Sequence, residues 1–163
     1  MDNSGIIFRL IEKKDNKEIA ELIRVIFREY KIDMPGTVYT DPTTDNLFEL
    51  FGIPGSEYWI AEENGEIIGG GGVYPTPMLP EGCAELVKLY LKCSHRGRGI
   101  GLEIINKIFN SAVRLGYRQL YLESFPELDR AISLYQKTGF KYIPKPLGNS
   151  GHFACNVWML KDL

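Results

Sequence analysis

The segment of this chain best equipped for chemistry is Arg96-Gly97-Arg98-Gly99-Ile100-Gly101, which follows an apolar, strand-like run from Leu86 to Leu91 and opens a pattern of helical period reaching about Ala112. Strand, glycine loop and helix start, in that order, make an anion site. The first N–H groups of a helix lack intrahelical partners and the macrodipole adds partial positive charge, so main chain alone can hold a pyrophosphate. Glycines at 97, 99 and 101 let the backbone approach such a ligand closely. Arg96 and Arg98 could pair with the phosphates as charge-assisted donors. Two nucleotide motifs fail on spacing, since no Gly-Lys-Ser/Thr follows and the loop reads G-x-G-x-G rather than G-x-G-x-x-G. Elsewhere, His152 sits beside a Gly148-Asn149-Ser150-Gly151 loop at the expected start of the last strand, where an imidazole can relay a proton or bind an acidic group. His95, just ahead of the glycine loop, is expected to meet solvent or a phosphate rather than to do chemistry.

Any positive site must be local, because 19 Lys and Arg stand against 21 Asp and Glu, a formal net charge of −2. That balance gives no electrostatic reason for a nucleic-acid or anionic-membrane partner. At 163 residues, 44% hydrophobic and 25% charged, the chain fits one domain spanning 1–163, able to bury roughly 70% of its unfolded surface without a disulfide or a metal. Cys83, Cys93 and Cys155 are odd in number and widely spaced, which argues against a disulfide framework or a zinc site. No stretch approaches the roughly 18 apolar residues of a membrane span. With no cleavage-like site near Ile6-Ile7-Phe8, a cytoplasmic location is expected.

Among the elements that must hold the loop, Gly5 to Ile11 reads as a strand, and Asp15 with Glu18 as a capping box. Ile19, Leu22, Ile23, Ile26, Phe27 and Tyr30 then mark one face of a helix stopping between Ile32 and Gly36. Pro42-Thr43-Thr44-Asp45 starts a second, shorter helix carrying Leu47, Leu50 and Phe51. Asn64-Gly65 between two strand-like runs predicts a hairpin. Gly69 to Gly72 extends its second arm, and four glycines there imply that something approaches the backbone. After the strand Ala84 to Leu91 and the helix ending at Gly116 come a strand at Leu120 to Leu122, a helix through Leu128, Ala131, Ile132 and Tyr135, and closing strands at Phe140 to Ile143 and His152 to Leu160.

This order, together with Arg-x-x-Gly-x-Gly at Arg96, Gly99 and Gly101 and Leu-Tyr-x-x-x-Gly-Phe at residues 134–140, resembles the GNAT superfamily of N-acetyltransferases. The resemblance covers nearly the whole chain and is most specific over 84–101 and 120–140. It implies an α/β (α+β) fold, a mixed, mostly antiparallel sheet of about seven strands with about four helices, in which the strand before the glycine loop splays from its neighbour. The pantetheine arm of acetyl-CoA would enter that wedge and pair with main chain at Leu89, Tyr90 and Leu91, its diphosphate lying on the loop from Arg96 to Gly101. The implied reaction is direct acetyl transfer to a primary amine of a small molecule, an amino acid or a protein.

For that reaction the resemblance nominates Glu85 as base. If Leu86 packs on the helices, strand alternation puts Glu85 and Val87 together on the other face. Tyr135 is nominated to protonate the departing thiolate, which a phenol of pKa near 10 can do within hydrogen-bond reach. Acceptor specificity in the superfamily lies in the first two helices and the last strands, which singles out Tyr30, Tyr39 and His152, with Asp33, Asp41, Phe51 and Trp158 as further lining candidates. One departure stands out: many members carry asparagine where this chain has Leu128, so a side-chain contact to the cofactor is missing. The alternative activity is a catalytically weak acyl-CoA binding or sensing domain. The partners expected are acetyl-CoA and an amine, with neither nucleic acid nor membrane, for a monomer or homodimer.

Overall fold

The computed structural model describes residues 3–163. Seven strands, β1 Ile6–Leu10, β2 Glu57–Glu63, β3 Glu66–Tyr74, β4 Cys83–Leu91, β5 Gln119–Ser124, β6 Lys141–Tyr142 and β7 Val157–Asp162, form one sheet in the order β1-β2-β3-β4-β5-β7-β6. Every neighbouring pair is antiparallel except β4 and β5. Four α-helices complete it: α1 Asn16–Glu29, α2 Leu47–Leu50, α3 Ile100–Arg114 and α4 Asp129–Lys137.

The helical periods seen in the sequence decide which face each helix covers. Ile19, Ile23, Ile26 and Phe27 of α1 are buried with Tyr58, Ile60 and Ile67 on one face of the sheet. Ile100, Ile104, Ile105 and Ile108 of α3 join Leu86, Leu120 and Leu122 on the other. Each fully buried side chain of this size contributes about 1.5–3 kcal/mol. Asn64 (φ 52°) and Gly65 (φ 80°) make the tight β2–β3 turn, both in the left-handed region that a type I′ turn needs.

The four glycines of β3 lie where their neighbours leave no room. A Cβ on Gly70 would stand 2.7 Å from the Trp59 carbonyl oxygen, and one on Gly71 would stand 2.9 Å from Leu89 Cδ1 and 3.0 Å from Ile108 Cδ1. The close approach expected from the sequence is thus made by the neighbouring strands β2 and β4, joined at Gly71 by α3, which packs close on the sheet there.

Three expectations are corrected. Asp15 does not cap α1 with its side chain. It closes a capping box one turn earlier, with Glu12 around a 3-10 turn at Lys13–Asp15, because Arg9 holds its carboxylate at 2.8 and 2.9 Å. Glu18 instead accepts the Ile67 N–H at 2.8 Å. The second helix is mostly a 3-10 turn, Pro42–Asn46, with α2 only its last turn. Finally, β7 begins at Val157 rather than His152. Residues 143–156 form a loop whose amides go elsewhere, Asn149 N–H to the Pro77 carbonyl (2.8 Å) and Ala154 N–H to the Gly36 carbonyl (3.1 Å). His152 therefore lies on a strap across one end of the sheet rather than in a strand.

Candidate active site

Parallel pairing of β4 with β5 is limited to Cys83, Ala84 and Glu85 opposite Gln119, Leu120 and Tyr121. Beyond Glu85 the strands diverge while β4 continues to Leu91, so the edge of β4 from Leu86 onward has no partner strand on that side. On its other side β4 carries a bulge: Gly72 faces Val87 and Gly70 faces Tyr90, leaving Lys88 and Leu89 both against Gly71. Lys88 takes φ 53° to achieve this, an unusual conformation for a non-glycine residue. The Tyr58 hydroxyl fixes it by donating to the Lys88 carbonyl at 2.8 Å in the core.

The wedge opens into a cleft of about 620 Å³ lined by Leu89, Tyr90, Leu91 and the glycine loop, with α4 as its far wall. That size lies within the range of small-molecule and cofactor sites. At its mouth the first internal bond of α3 is Glu103 N–H to the Gly99 carbonyl, 3.1 Å, which leaves the N–H groups of Ile100, Gly101 and Leu102 without intrahelical partners. Gly97 and Gly99 stand at φ 78° and 79°, and a Cβ on either would meet nothing within 4 Å. The backbone there is shaped by conformation and faces open space, a cradle for an anion.

A second, smaller cavity of about 50 Å³ lies deeper, toward the α1 face. It shares Leu89, Tyr90 and Leu128 with the cleft, so the two meet at the β4 bulge. Its polar wall includes Glu85, Lys88, Glu123 and His152, and Tyr135 lines it as well. Leu86 packs with α3 while Val87 packs toward α1, so the strand parity expected for Glu85 holds. Glu85 is 4% exposed and accepts a short hydrogen bond from the Thr76 hydroxyl. Burial pushes its carboxyl up to about 8, against the pull of that hydrogen bond, and the nearby Glu123 adds to the rise. Glu123 accepts from the Tyr121 hydroxyl at 2.7 Å and from the Ser150 hydroxyl. His152 Nε2 lies 2.8 Å from Asp41 Oδ2; that contact, with the Thr43 amide and hydroxyl, holds the Asp41 carboxylate well below its ordinary range despite burial.

Tyr135 is 6% exposed, its ring edge-on to Phe140 with centroids 5.8 Å apart. Among the described residues its hydroxyl makes no hydrogen bond, and no fully enclosed side-chain N or O lacks one. The hydroxyl is therefore not fully enclosed, and the residue lines the inner cavity. Burial pushes it above the ordinary phenol range.

The loop residues divide. Arg96 lines the cleft but is tied to Glu29 (2.5 Å) and the Tyr30 hydroxyl (3.1 Å). Arg98 turns away to Glu63 at 2.9 Å and to Asn3, and His95 also meets Glu63, at 2.9 Å. The Ile100 side chain is core; only its amide faces the mouth. Tyr30 lines the cleft rather than the inner cavity, whereas Tyr39 packs on Phe27 and Arg28 and reaches neither space. Leu128, at the start of α4, makes no side-chain cap and instead provides apolar wall to both spaces. Lys88 and Glu123 are the polar groups that sequence reasoning passed over. The available signals were a lone lysine inside Leu86-Val87-Lys88-Leu89-Tyr90-Leu91 and a glutamate two places beyond Tyr121 on the same strand face.

A family model described as the acetyltransferase (GNAT) family matches residues 19–140. The chain belongs to the GNAT family of acetyltransferases. This GNAT member is 35% identical over 158 residues to the uncharacterized N-acetyltransferase YjgM of Escherichia coli (strain K12), covering 96% of this chain and 95% of that one. Its fold matches a GNAT acetyltransferase of Staphylococcus aureus Mu50 with a TM-score of 0.83 at 20% identity, covering 97% and 99% of the two chains. It also matches yncA of Salmonella typhimurium, whose structure holds its cofactor acetyl-CoA, with a TM-score of 0.75 at 18% identity over 98% and 95%. The seven-stranded sheet, the four helices and the splayed β4–β5 pair are those of a GNAT acyltransferase. No helix among the described residues is long and apolar enough to cross a membrane.

Proposed function

We propose that this acetyltransferase binds acetyl-CoA in the β4–β5 cleft and passes the acetyl group directly to a primary amine, of a small molecule, an amino acid or a protein, lodged in the inner cavity. The observation that carries this reading is the meeting of an anion-cradled cleft and a carboxylate-bearing cavity at Leu89, Tyr90 and Leu128. The residues present fit the cofactor. The amides of Ile100, Gly101 and Leu102 would take the diphosphate, and the free edge of β4 from Leu89 to Leu91 would pair with the pantetheine amides as an added strand. When bound, acetyl-CoA supplies an acetyl group activated as a thioester.

The chain's own residues manage the protons. An aliphatic amine is mostly protonated near neutral pH and must lose a proton to attack. Glu85, with its carboxyl near 8, matches such an amine closely enough to act as base. Its Thr76 hydrogen bond leaves the other carboxylate oxygen for the acceptor. Tyr135 holds a proton on a hydroxyl with no acceptor among the described residues, available to a sulfur leaving beside the inner cavity. Leu128, Leu89 and Phe125 exclude bulk water from the same space.

Calorimetry with acetyl-CoA, followed by detection of free thiol across an amine panel, tests the reading. Binding with amine-dependent thiol release is expected. No heat and no thermal stabilisation with millimolar coenzyme would overturn it, and binding without transfer to any amine would leave only an acyl-CoA sensor.

A further inference from the structure

The inner cavity holds a lysine amine that no side chain among the described residues pairs with, and burial works against its charged form while the fields of Asp41 and Glu85 favour it. Lys88 is 7% exposed and lines the cavity, yet its side chain makes no hydrogen bond or ion pair among the described residues. It lies in the field of two acids, Asp41 and Glu85, and both are engaged elsewhere. Asp41 is held by His152 and Thr43, and Glu85 by Thr76. Glu123, the remaining acid of the cavity, is held by Tyr121 and Ser150. The other walls near Lys88, Phe27, Val38 and Val87, offer only apolar surface.

A buried, unpaired ammonium is expensive, and so is the left-handed backbone that carries it. Both persist because the bulge is fixed from behind by the Tyr58 hydroxyl. A cation kept desolvated in a substrate cavity, with no carboxylate among the described residues in ion-pair contact with it, is arranged for an anion that arrives with the substrate. The geometry points to an acceptor that carries a carboxylate beside its amine, an α-amino acid or a compound built like one, with Lys88 as the residue that takes the carboxylate. The small cavity suits this headgroup, since about 50 Å³ leaves room for an amine and a carboxylate but forces the rest of the molecule outward beneath the strap of residues 143–156. Glu85 and Glu123 then face the amine while Lys88 faces the acid. A two-point grip of this kind both orients the nucleophile and rejects simple amines, which would leave the ammonium desolvated and alone.

The inference rests on the acetyltransfer reading and is separable from it. The test measures kcat/KM with acetyl-CoA for the standard L-amino acids, each against its carboxamide, with phenethylamine beside L-phenylalanine and its amide as a fully decarboxylated set. The wild-type protein is expected to favour acid over amide by about tenfold or more for the amino acids it accepts. In Lys88→Met that ratio collapses toward unity through a rise in KM for the acid, and Lys88→Arg keeps part of it. Lys88→Met is also expected to raise the melting temperature, because it removes an unpaired buried charge, whereas a lysine with a structural role would lower it on removal. Equal turnover of acids and amides by the wild-type protein overturns the carboxylate anchor while leaving acetyl transfer intact. So does a Lys88→Met protein that is less stable and retains the wild-type ratio. Absence of coenzyme binding, or of transfer to any amine, overturns the acetyltransfer reading and the anchor with it.

Discussion

Replacing Glu85 by glutamine probes the proposed base directly, and the structure sets the size of the effect. A carboxyl at about 8 is roughly one-tenth ionised at pH 7 and roughly nine-tenths at pH 9, so kcat/KM of the wild-type protein should climb about tenfold between them. The acceptor's own ionisation would mimic this climb. The measurement therefore uses an amine of pKa below about 6, which is neutral throughout. Glu85→Gln should run slower by about 10²-fold at pH 9 and show a flat profile. A stability measurement gives an independent check with a defined sign. Because burial raises the folded carboxyl above its unfolded value of 4.5, the native state binds the extra proton, and stability falls as pH rises from about 4.5 through about 8. The shift corresponds to at most roughly 4–5 kcal/mol, levelling off above the folded value. Glu85→Gln keeps an acceptor for Thr76 and carries no charge, so its advantage in melting temperature over the wild type should widen across that window. A wild-type profile that is flat with the low-pKa amine, or a variant whose stability tracks the wild type at every pH, would refute the reasoning.

Tyr135→Phe should lower kcat by about 10²-fold with acetyl-CoA affinity and melting temperature nearly unchanged, as the hydroxyl makes no protein hydrogen bond; stopped-flow thiol release checks this, and an unaffected kcat contradicts the role. Gly99→Val forces a β-branched residue to φ 79°, a strain of about 1–3 kcal/mol, and should raise the acetyl-CoA dissociation constant by tenfold or more in calorimetry. Arg98→Ala, by contrast, removes a side chain held by Glu63 and Asn3 outside the cleft and should shift that constant less than about threefold. Gly72→Ala places a Cβ 2.6 Å from the Glu57 carbonyl oxygen, a backbone atom that cannot step aside; a loss of about 1–3 kcal/mol is expected by denaturant titration.

Much of the architecture was legible because it is written in local periodicity. The apolar spacing in α1 and α3 assigns each helix to a face, Asn64-Gly65 can hardly be anything but a turn, and the unbranched, crowded positions of β3 had to be glycine. The turn from Gly97 to Gly99 ahead of α3 was legible for the same reason, since its φ angles and the helix start are local properties. Errors fell where a distant residue outbid a neighbour. Arg9 claims the Asp15 carboxylate that local rules gave to α1, and Gly36 claims the Ala154 amide, in the stretch where β7 would have continued back toward His152.

The amino-acid sequence by itself determined the order of the elements, the glycine turn ahead of α3, and the presence of Glu85 and Tyr135 on elements that could converge. Only the tertiary structure decided that Arg98 faces Glu63 rather than the cleft, that Tyr30 belongs to the outer space, and that Lys88 is buried beside Glu85. A strand pattern specifies which face a side chain takes only while the register is regular. The bulge opposite Gly71 arises from pairing with a second strand 17 residues upstream, so the lysine's direction is a property of two segments at once and cannot be read from either alone.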